Sequence, residues 1–142
     1  MPKKRILGID PGTKTLGIAI SNSDLTVASP IFTIQRKKLQ SDLNQLLEVL
    51  KKYDVTGIII GWPLNMDGSI GPRCDSVRDF IKSLLEMIDI PILLQDERMS
   101  TMAVEKPMIK ADLTRKKRNS RTDQLAACWI LQTALDGLPK RM

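Results

Sequence analysis

Residues 6–21 of the chain read ILGIDPGTKTLGIAIS, two apolar runs joined by a Pro-Gly-Thr turn. Apolar runs on either side of such a turn predict a β-hairpin. Asp10 is the acid within the first run, at the end of a strand that we expect to be central and buried. A buried carboxylate is costly unless a metal ion or a basic group meets it, although the amides of its own turn could also satisfy it. Asp10 is therefore a candidate metal ligand.

Composition predicts a single domain over residues 1–142, with 42% hydrophobic and 27% charged residues. No segment approaches the ~20 consecutive apolar residues that a membrane span needs. The basic start of the chain leads directly into the first strand, without a signal-peptide cleavage site. Histidine is absent, and Cys74 and Cys128 lack metal-ligand spacing. These absences exclude zinc sites, histidine general bases and Ser-His triads. We expect reduced thiols and a cytoplasmic protein.

The net charge of +6 is concentrated in residues 106–121, which we call the basic segment. Asp112 is its one acid, and its seven basic residues are Lys106, Lys110, Arg115, Lys116, Lys117, Arg118 and Arg121. Such a run indicates an anionic partner, and nucleic acid fits better than a membrane surface because large apolar residues are few. A solvated loop is the alternative. We expect 115–118 to be a mobile loop before the last helix.

Hydrophobic periodicity predicts a mixed sheet with helices packed on its faces. The predicted strands are 5–10, 16–21, 26–35, 55–60 and 91–95, and the predicted helices are 39–53, 76–87 and 122–135. Another helix is expected to be capped by Ser100 or Thr101 and interrupted at Pro107. The runs 55–60 and 91–95 are so apolar that we expect both strands to be buried.

Two further acids become candidate metal ligands in this arrangement. Glu97 follows the last strand, and Asp123 is predicted to open the final helix. Ligands gather at the carboxyl ends of strands in open α/β sheets, where Asp10 also lies. Three converging carboxylates repel unless cations hold them, and hard oxygen ligands suit Mg²⁺ or Mn²⁺. Two such ions could hydrolyse a phosphodiester. Alternatively, Asp123 only complements the helix dipole.

The segment GWPLNMDGSIGP, residues 61–72, carries turn signals and is followed by Arg73. Its glycines would allow close approach of a nucleic acid, but a purely structural loop explains the pattern equally well. Trp62 could stack on a base or cap the core.

Four motifs in order give the chain a specific resemblance. They are GIDPGTK at 8–14, GWPLNMDG at 61–68 with Gly71-Pro72, DERMST at 96–101, and DQLAA at 123–127 with Ile130-Leu131. Over nearly its whole length the chain resembles the YqgF-like Holliday junction resolvases, bacterial proteins with a ribonuclease H-like fold. The resemblance implies a five-stranded mixed sheet with helices on both faces. It also implies Mg²⁺ or Mn²⁺ bound by catalytic acids at Asp10, Glu97 and Asp123.

The family resemblance further implies processing of the 5′ end of pre-16S ribosomal RNA during ribosome biogenesis. We expect structured RNA or branched DNA as the partner of a monomer or weak homodimer. The expected contacts to nucleic acid are Lys14, Arg73, Arg98, Lys110, Arg115, Lys116, Lys117, Arg118 and Arg121.

One departure from related resolvases concerns a fourth acid one helical turn from the last. Here Ala126 and Ser120 occupy the positions three residues from Asp123. The alternatives are therefore a resolvase of branched DNA and a non-catalytic RNA-binding factor that keeps the acids for folding or weak metal binding. Actin-like ATPases and sugar kinases use a similar Gly-Ile-Asp-x-Gly-Thr turn, but they need two such domains. Cleavage and nucleotide-binding assays separate these classes.

Overall fold

The computed structural model of the chain describes residues 4–97 and 115–138. The helix expected after Ser100 and the residues Arg98 and Lys110 lie outside these ranges. The strands are β1 Arg5–Pro11, β2 Thr15–Ser21, β3 Ala28–Gln35, β4 Val55–Trp62 and β5 Ile92–Asp96. The helices are α1 Leu39–Lys52, α2 Pro72–Leu85 and α3 Arg115–Asp136. None of the described helices is both long and apolar enough to cross a membrane.

The strands form one five-stranded mixed sheet in the order β3-β2-β1-β4-β5. β1 pairs with β2 in antiparallel register, as the hairpin prediction requires, and β2 pairs antiparallel with β3. β1 and β5 both run parallel to β4, one on each side of it. The three parallel strands therefore end at the same edge of the sheet, which we call the carboxyl edge.

Helices cover both faces of the sheet, as predicted. On one face, α1 and α2 pack against the buried side chains of Leu7, Ile9 and their neighbours. On the other face, α3 packs through Ala127, Ile130 and Leu131. β4 has apolar partners on both sides: Ile58 and Ile60 belong to the first core cluster and Ile59 to the second. The prediction that residues 55–60 form a strand covered on both faces is confirmed.

The prediction that residues 91–95 form a buried strand is wrong. β5 lies at the edge of the sheet, and 64% of Leu93 and 49% of Leu94 are exposed. An apolar run shows that a strand forms, but a periodicity argument does not show whether that strand is central or at the edge.

The last helix begins earlier than predicted, at Arg115 instead of Thr122. The segment expected to be a mobile loop is therefore its first turn, and Asp123 does not open the helix. Arg and Lys are good helix formers, and neither Gly nor Pro occurs between Arg115 and Asp136, so nothing in the chain ends the helix before Gly137. The reading of Asp123 as an acid in the first turn is excluded, since that turn contains no acid.

Candidate active site

Two of the three predicted acids meet at the carboxyl edge. Asp10 is the penultimate residue of β1, and Glu97 directly follows β5. Although β4 lies between these strands, the side chain of Glu97 crosses it and shares a hydrogen bond with the carboxyl group of Asp10. The backbone amide of Glu97 donates to the carbonyl oxygen of Trp62 at 3.3 Å, which fixes the chain at the point of crossing.

Gly61 makes this crossing possible. A Cβ at position 61 would overlap Oε2 of Glu97 and would lie 2.8 Å from Cδ1 of Ile130. Any side chain here would therefore push the Glu97 carboxylate away from Asp10. The turn signals of residues 61–72 predict a loop that includes Gly61, whereas in the structure Gly61 belongs to β4. Its position directly after the apolar run of a central strand was the signal that could have identified it.

The local electrostatics disfavour an ionised Glu97. Burial raises the pKa of Glu97 to about 8, and the charge of Asp10, their shared hydrogen bond and the charge of Asp96 act in the same direction. The guanidinium of Arg73 opposes them and lowers this pKa. Oε2 of Glu97 is also buried without a hydrogen-bond partner in the described part of the chain. A pair of close carboxylates with one unsatisfied oxygen suits a hard divalent cation.

Arg73 lies beside this pair. It follows Pro72 at the start of α2, and its Nη2 donates to the carbonyl oxygen of Pro11 at 2.8 Å. Pro11 is the residue after Asp10, and Arg73 is close enough to Glu97 to affect its pKa. Lys14 is exposed in the turn between β1 and β2, at the same edge of the sheet.

The direction of α3 places the backbone of Asp123 toward the carboxyl edge. Gln132 lies in the second half of the helix. Its Nε2 donates to the Thr26 carbonyl and its Oε1 accepts from the Ala28 backbone amide, both at 2.9 Å, beside the start of β3. β3 runs in the same direction as β1, so its start lies at the edge opposite to Asp10. The first half of α3 therefore extends toward the carboxyl edge.

The helical register relates Asp123 to the site. Position 123 precedes Ile130 by seven residues, or two turns, so the two positions share one face of α3. Ile130 packs against Gly61, beneath Glu97. In residues 4–97 and 124–138, no group of three acid, cysteine or histidine side chains could hold a metal ion. The structure thus brings Asp10 and Glu97 together, and metal binding by all three acids stays a prediction.

The loop after β4 is held by its own hydrogen bonds. The backbone amide of Asn65 donates to the backbone carbonyl of Ser69 at 2.9 Å, and the Ser69 hydroxyl donates to Oδ1 of Asp67 at 2.6 Å. Gly68, with φ 88°, makes the turn. Trp62 packs against the core, and the guanidinium of Arg78 lies 5.9 Å from its ring centroid. These contacts are those of an ordered surface loop.

The predicted nucleic-acid residues divide into two groups. Lys14 and Arg73 lie at the carboxyl edge. Arg115, Lys116, Lys117, Arg118 and Arg121 form the first two turns of α3. Successive positions of a helix are about 100° apart, so the four consecutive positions 115–118 are distributed around the helix axis. Of these five positions, only 116, which is seven residues before position 123, falls on the same helix face as position 123.

Comparison with known proteins gives a consistent result. A family model described as "RuvX: Holliday junction resolvase" matches residues 4–137. A protein of Ruegeria sp. (strain TM1040) named "Putative pre-16S rRNA nuclease" is 48% identical over 131 residues, covering 92% of this chain and 83% of that protein. A protein of Methylocella silvestris with the same name is 46% identical over 137 residues, covering 96% and 85%.

Two solved structures share the fold. RuvC of Thermus thermophilus in complex with a Holliday junction substrate superposes with a TM-score of 0.59 at 16% identity, covering 94% of both chains. The Fowlpox virus resolvase in complex with Holliday junction DNA gives a TM-score of 0.55 at 16% identity, covering 96% of this chain and 99% of that one. At this identity the likeness shows the fold alone, which agrees with the predicted ribonuclease H-like architecture.

Proposed function

The chain belongs to the RuvX family of Holliday junction resolvases, and we propose that it is a metal-dependent nuclease that processes the 5′ end of pre-16S ribosomal RNA. The observation that carries the proposal is the contact of Asp10 with Glu97 at the carboxyl edge. Open α/β sheets place their chemistry at this edge. The RNA substrate comes from the names of relatives that are 46–48% identical. Both described cysteines are free thiols, which agrees with a cytoplasmic setting.

We propose that Asp10, Glu97 and Asp123 together hold Mg²⁺ or Mn²⁺. A bound divalent ion supplies a water of lowered pKa and stabilises the leaving oxygen of the phosphodiester. The protein contributes the positions of the ligands: Gly61 lets Glu97 cross β4, and the Trp62 carbonyl fixes the Glu97 backbone. Because burial and Asp10 favour the protonated form of Glu97, this residue would have to be ionised to hold the cation, so binding would be linked to the loss of a proton.

Contacts to the substrate backbone would come from two sets of basic residues, one at the carboxyl edge and one at the start of α3. Lys14 and Arg73 would contact phosphates nearest to Asp10, and the first turns of α3 would contact phosphates further along the strand. Arg98 and Lys110, which lie outside the described residues, are proposed as further contacts to the nucleic acid. Because position 116 shares the face of Asp123, we expect Lys116 to make the contact closest to the reacting phosphate. The contacts of Arg118 and Arg121 would lie on other sides of the helix.

Cleavage of four-way DNA junctions is the second candidate function. It is favoured by the description of the matching family model as a Holliday junction resolvase. Cutting two symmetric strands of a junction requires a dimer, whereas a monomer suffices to process RNA. The two candidates use the same acids and differ in substrate and assembly.

One experiment separates these functions. The chain is incubated with Mg²⁺ or Mn²⁺ and one of three labelled substrates: an RNA spanning the mature 5′ end of 16S RNA with its leader, a linear DNA duplex, and a four-way DNA junction. Excess chelator provides the metal-free control. We expect cleavage of the RNA only when metal is present. Cleavage of the junction alone would support the resolvase, and binding of RNA without cleavage would support a non-catalytic factor.

A further inference from the structure

A cavity of about 300 Å³ opens at the carboxyl edge, on the face of the sheet that carries α1 and α2. The turn between β1 and β2 forms one wall through Pro11 and Gly12. Arg36, at the end of β3, and Arg73, at the start of α2, form others, and Phe80 belongs to the apolar floor. The volume is at the lower end of the ~300–1,000 Å³ of small-ligand pockets, enough for a phosphate group with part of its nucleotide.

Arg36 is held in place from several sides. Its Nη1 donates to the Gly12 carbonyl at 2.8 Å, and its Nε lies 3.4 Å from Oδ2 of Asp42. The guanidinium also lies 5.6 Å from the ring centroid of Phe80. These contacts use Nε and Nη1, and a guanidinium has further N–H donors on Nη2. Arg36 is thus a fixed cation whose orientation does not depend on a ligand.

Asp42 anchors this arrangement. Its side chain is 2% exposed, and its Oδ1 accepts a hydrogen bond from the Lys37 backbone amide at 3.1 Å. The acid therefore holds both Arg36 and the backbone of the next residue. The cavity is lined by the cations Arg36, Lys37 and Arg73 and by this one described acid, so its net charge is positive. Fixed guanidinium groups in a small concave site match the geometry and charge of a phosphate.

Arg73 links the cavity to the pair of acids. It lines the cavity, donates to the Pro11 carbonyl and lowers the pKa of Glu97. A phosphate in the cavity and a phosphodiester at Asp10 would therefore lie on either side of one residue, Pro11.

We propose that this cavity is a binding site for a phosphate group of the nucleic-acid substrate, with Arg36 and Arg73 as ligands and Asp42 as the residue that positions Arg36. The identity of the ligand as nucleic acid rests on the proposed function. The site would determine the path of the bound nucleic acid. A nucleic-acid strand anchored in the cavity would run from Asp10 and Glu97 toward the face of the sheet that carries α1 and α2.

The test measures binding without metal, so that cleavage does not contribute. Single-stranded RNA labelled at its 3′ end is titrated with the chain in chelator over a range of salt concentrations. The double variant Arg36→Gln with Lys37→Gln removes two cations of the cavity. Arg78→Gln with Lys82→Gln is the matched control, because it also removes two cations and both residues lie on α2 outside the cavity lining. We expect at least about tenfold weaker binding by the double variant and near wild-type binding by the control.

The salt dependence gives an independent readout. Each lost phosphate contact should lower the slope of log affinity against log salt by about 0.7 on a single strand. Unchanged affinity and slope in a variant that unfolds at the wild-type temperature would overturn the proposal, and so would a wild-type chain that binds no RNA. If the double variant does not fold, Arg73→Gln provides the test, since Arg73 is the other proposed ligand and is exposed.

Two RNAs distinguish the sources of the phosphate. One carries a 5′-phosphate and the other a 5′-hydroxyl. An equal loss of affinity for both assigns the cavity to an internal phosphodiester, and a loss confined to the first assigns it to a terminal phosphate. A chain that shows the predicted loss of binding but cuts no substrate would retain the phosphate site and refute the nuclease. If the wild type cuts RNA but the double variant binds RNA with an unchanged salt dependence, the nuclease function is retained and the phosphate site is refuted.

Discussion

The carboxylate of Glu97 occupies the space that a side chain at Gly61 would fill. This relationship explains how an acid that follows the edge strand β5 reaches an acid on the central strand β1. The intervening strand β4 would block the path with any other residue. Gly61 is therefore as much a part of the site as the two acids, although it carries no chemical group of its own.

The first prediction concerns this glycine. Gly61→Ala should displace the Glu97 carboxylate from Asp10 and lower the cleavage rate by at least about 100-fold, because small misplacements of catalytic groups are costly. The atoms that the new methyl would meet are ends of flexible side chains, so the fold should persist with a loss of no more than about 1–3 kcal/mol in the free energy of unfolding. Cleavage assays and thermal unfolding measure the two effects.

Gly57→Ala is the control on the same strand. A Cβ at position 57 would meet only Cγ1 of Ile6, at an ordinary distance of 3.7 Å. We expect this variant to cut at nearly the wild-type rate. Equal rates for Gly57→Ala and Gly61→Ala would show that the crossing of Glu97 over β4 does not matter for activity.

The second prediction concerns pH. In the folded chain the pKa of Glu97 is raised from its ordinary 4.5 to about 8, so between these values the folded state binds more protons than the unfolded state. The free energy of unfolding should therefore fall as pH rises from about 5 to 8 in metal-free buffer. Glu97→Gln should remove this contribution. Thermal unfolding at several pH values in chelator measures it.

Addition of Mg²⁺ or Mn²⁺ provides the matching measurement. A cation bound to Glu97 keeps the carboxylate ionised, so saturating metal should flatten the dependence of the unfolding temperature on pH, and metal affinity should rise with pH. A dependence that metal leaves unchanged would indicate that Glu97 titrates without binding the ion.

The third prediction concerns the start of α3. Replacing Arg115, Lys116, Lys117 and Arg118 together with Gln should weaken binding to all sequences alike, because phosphate contacts carry no sequence information. The salt slope should fall by up to roughly three units if all four residues contact phosphates. Since these positions surround the helix, we expect a smaller decrease, of about one to two units.

Single replacements within this turn refine the prediction. Lys116→Gln should reduce binding and cleavage more than Lys117→Gln, because only position 116 shares the helix face of Asp123. The two variants remove the same charge from neighbouring positions of one helix, so differences in net charge do not complicate the comparison. Equal effects would show that the face of the helix is irrelevant and that only its total charge attracts the nucleic acid.

Sequence reasoning predicted the sheet well because the signals were local. The turn at Pro11–Gly12 and the apolar run of β4 specified a hairpin and a central strand. Sequence reasoning failed where the exposure of a strand depends on contacts between residues far apart in the chain, or where the start of a helix depends on competing effects. The exposure of Leu93 depends on the position of β5 at the sheet edge, and the start of α3 at Arg115 depends on helix propensity outweighing charge repulsion.

The candidate site shows the same division. Asp10 and Glu97 were recognised from their positions at strand ends, and the structure places them in contact. The sequence places Gly61 at the end of a central strand, but its role was missed because it also depends on Glu97 turning back over β4. Arg36 was missed for a similar reason: an arginine at the end of a strand has no special pattern, and only the fold places it beside Asp42 and Gly12.

The most direct test of the metal site is the rate of RNA cleavage in Mn²⁺ by Asp10→Asn, compared with the wild type and with Asp24→Asn. Both substitutions remove one carboxylate charge, but Asp24 is exposed in the turn between β2 and β3, at the opposite edge of the sheet. We expect Asp10→Asn to lose at least about 100-fold in rate while it retains RNA binding, and Asp24→Asn to cut normally. Cleavage by Asp10→Asn at the wild-type rate would contradict the account, because Asp10 would then be a turn residue without a role in the chemistry.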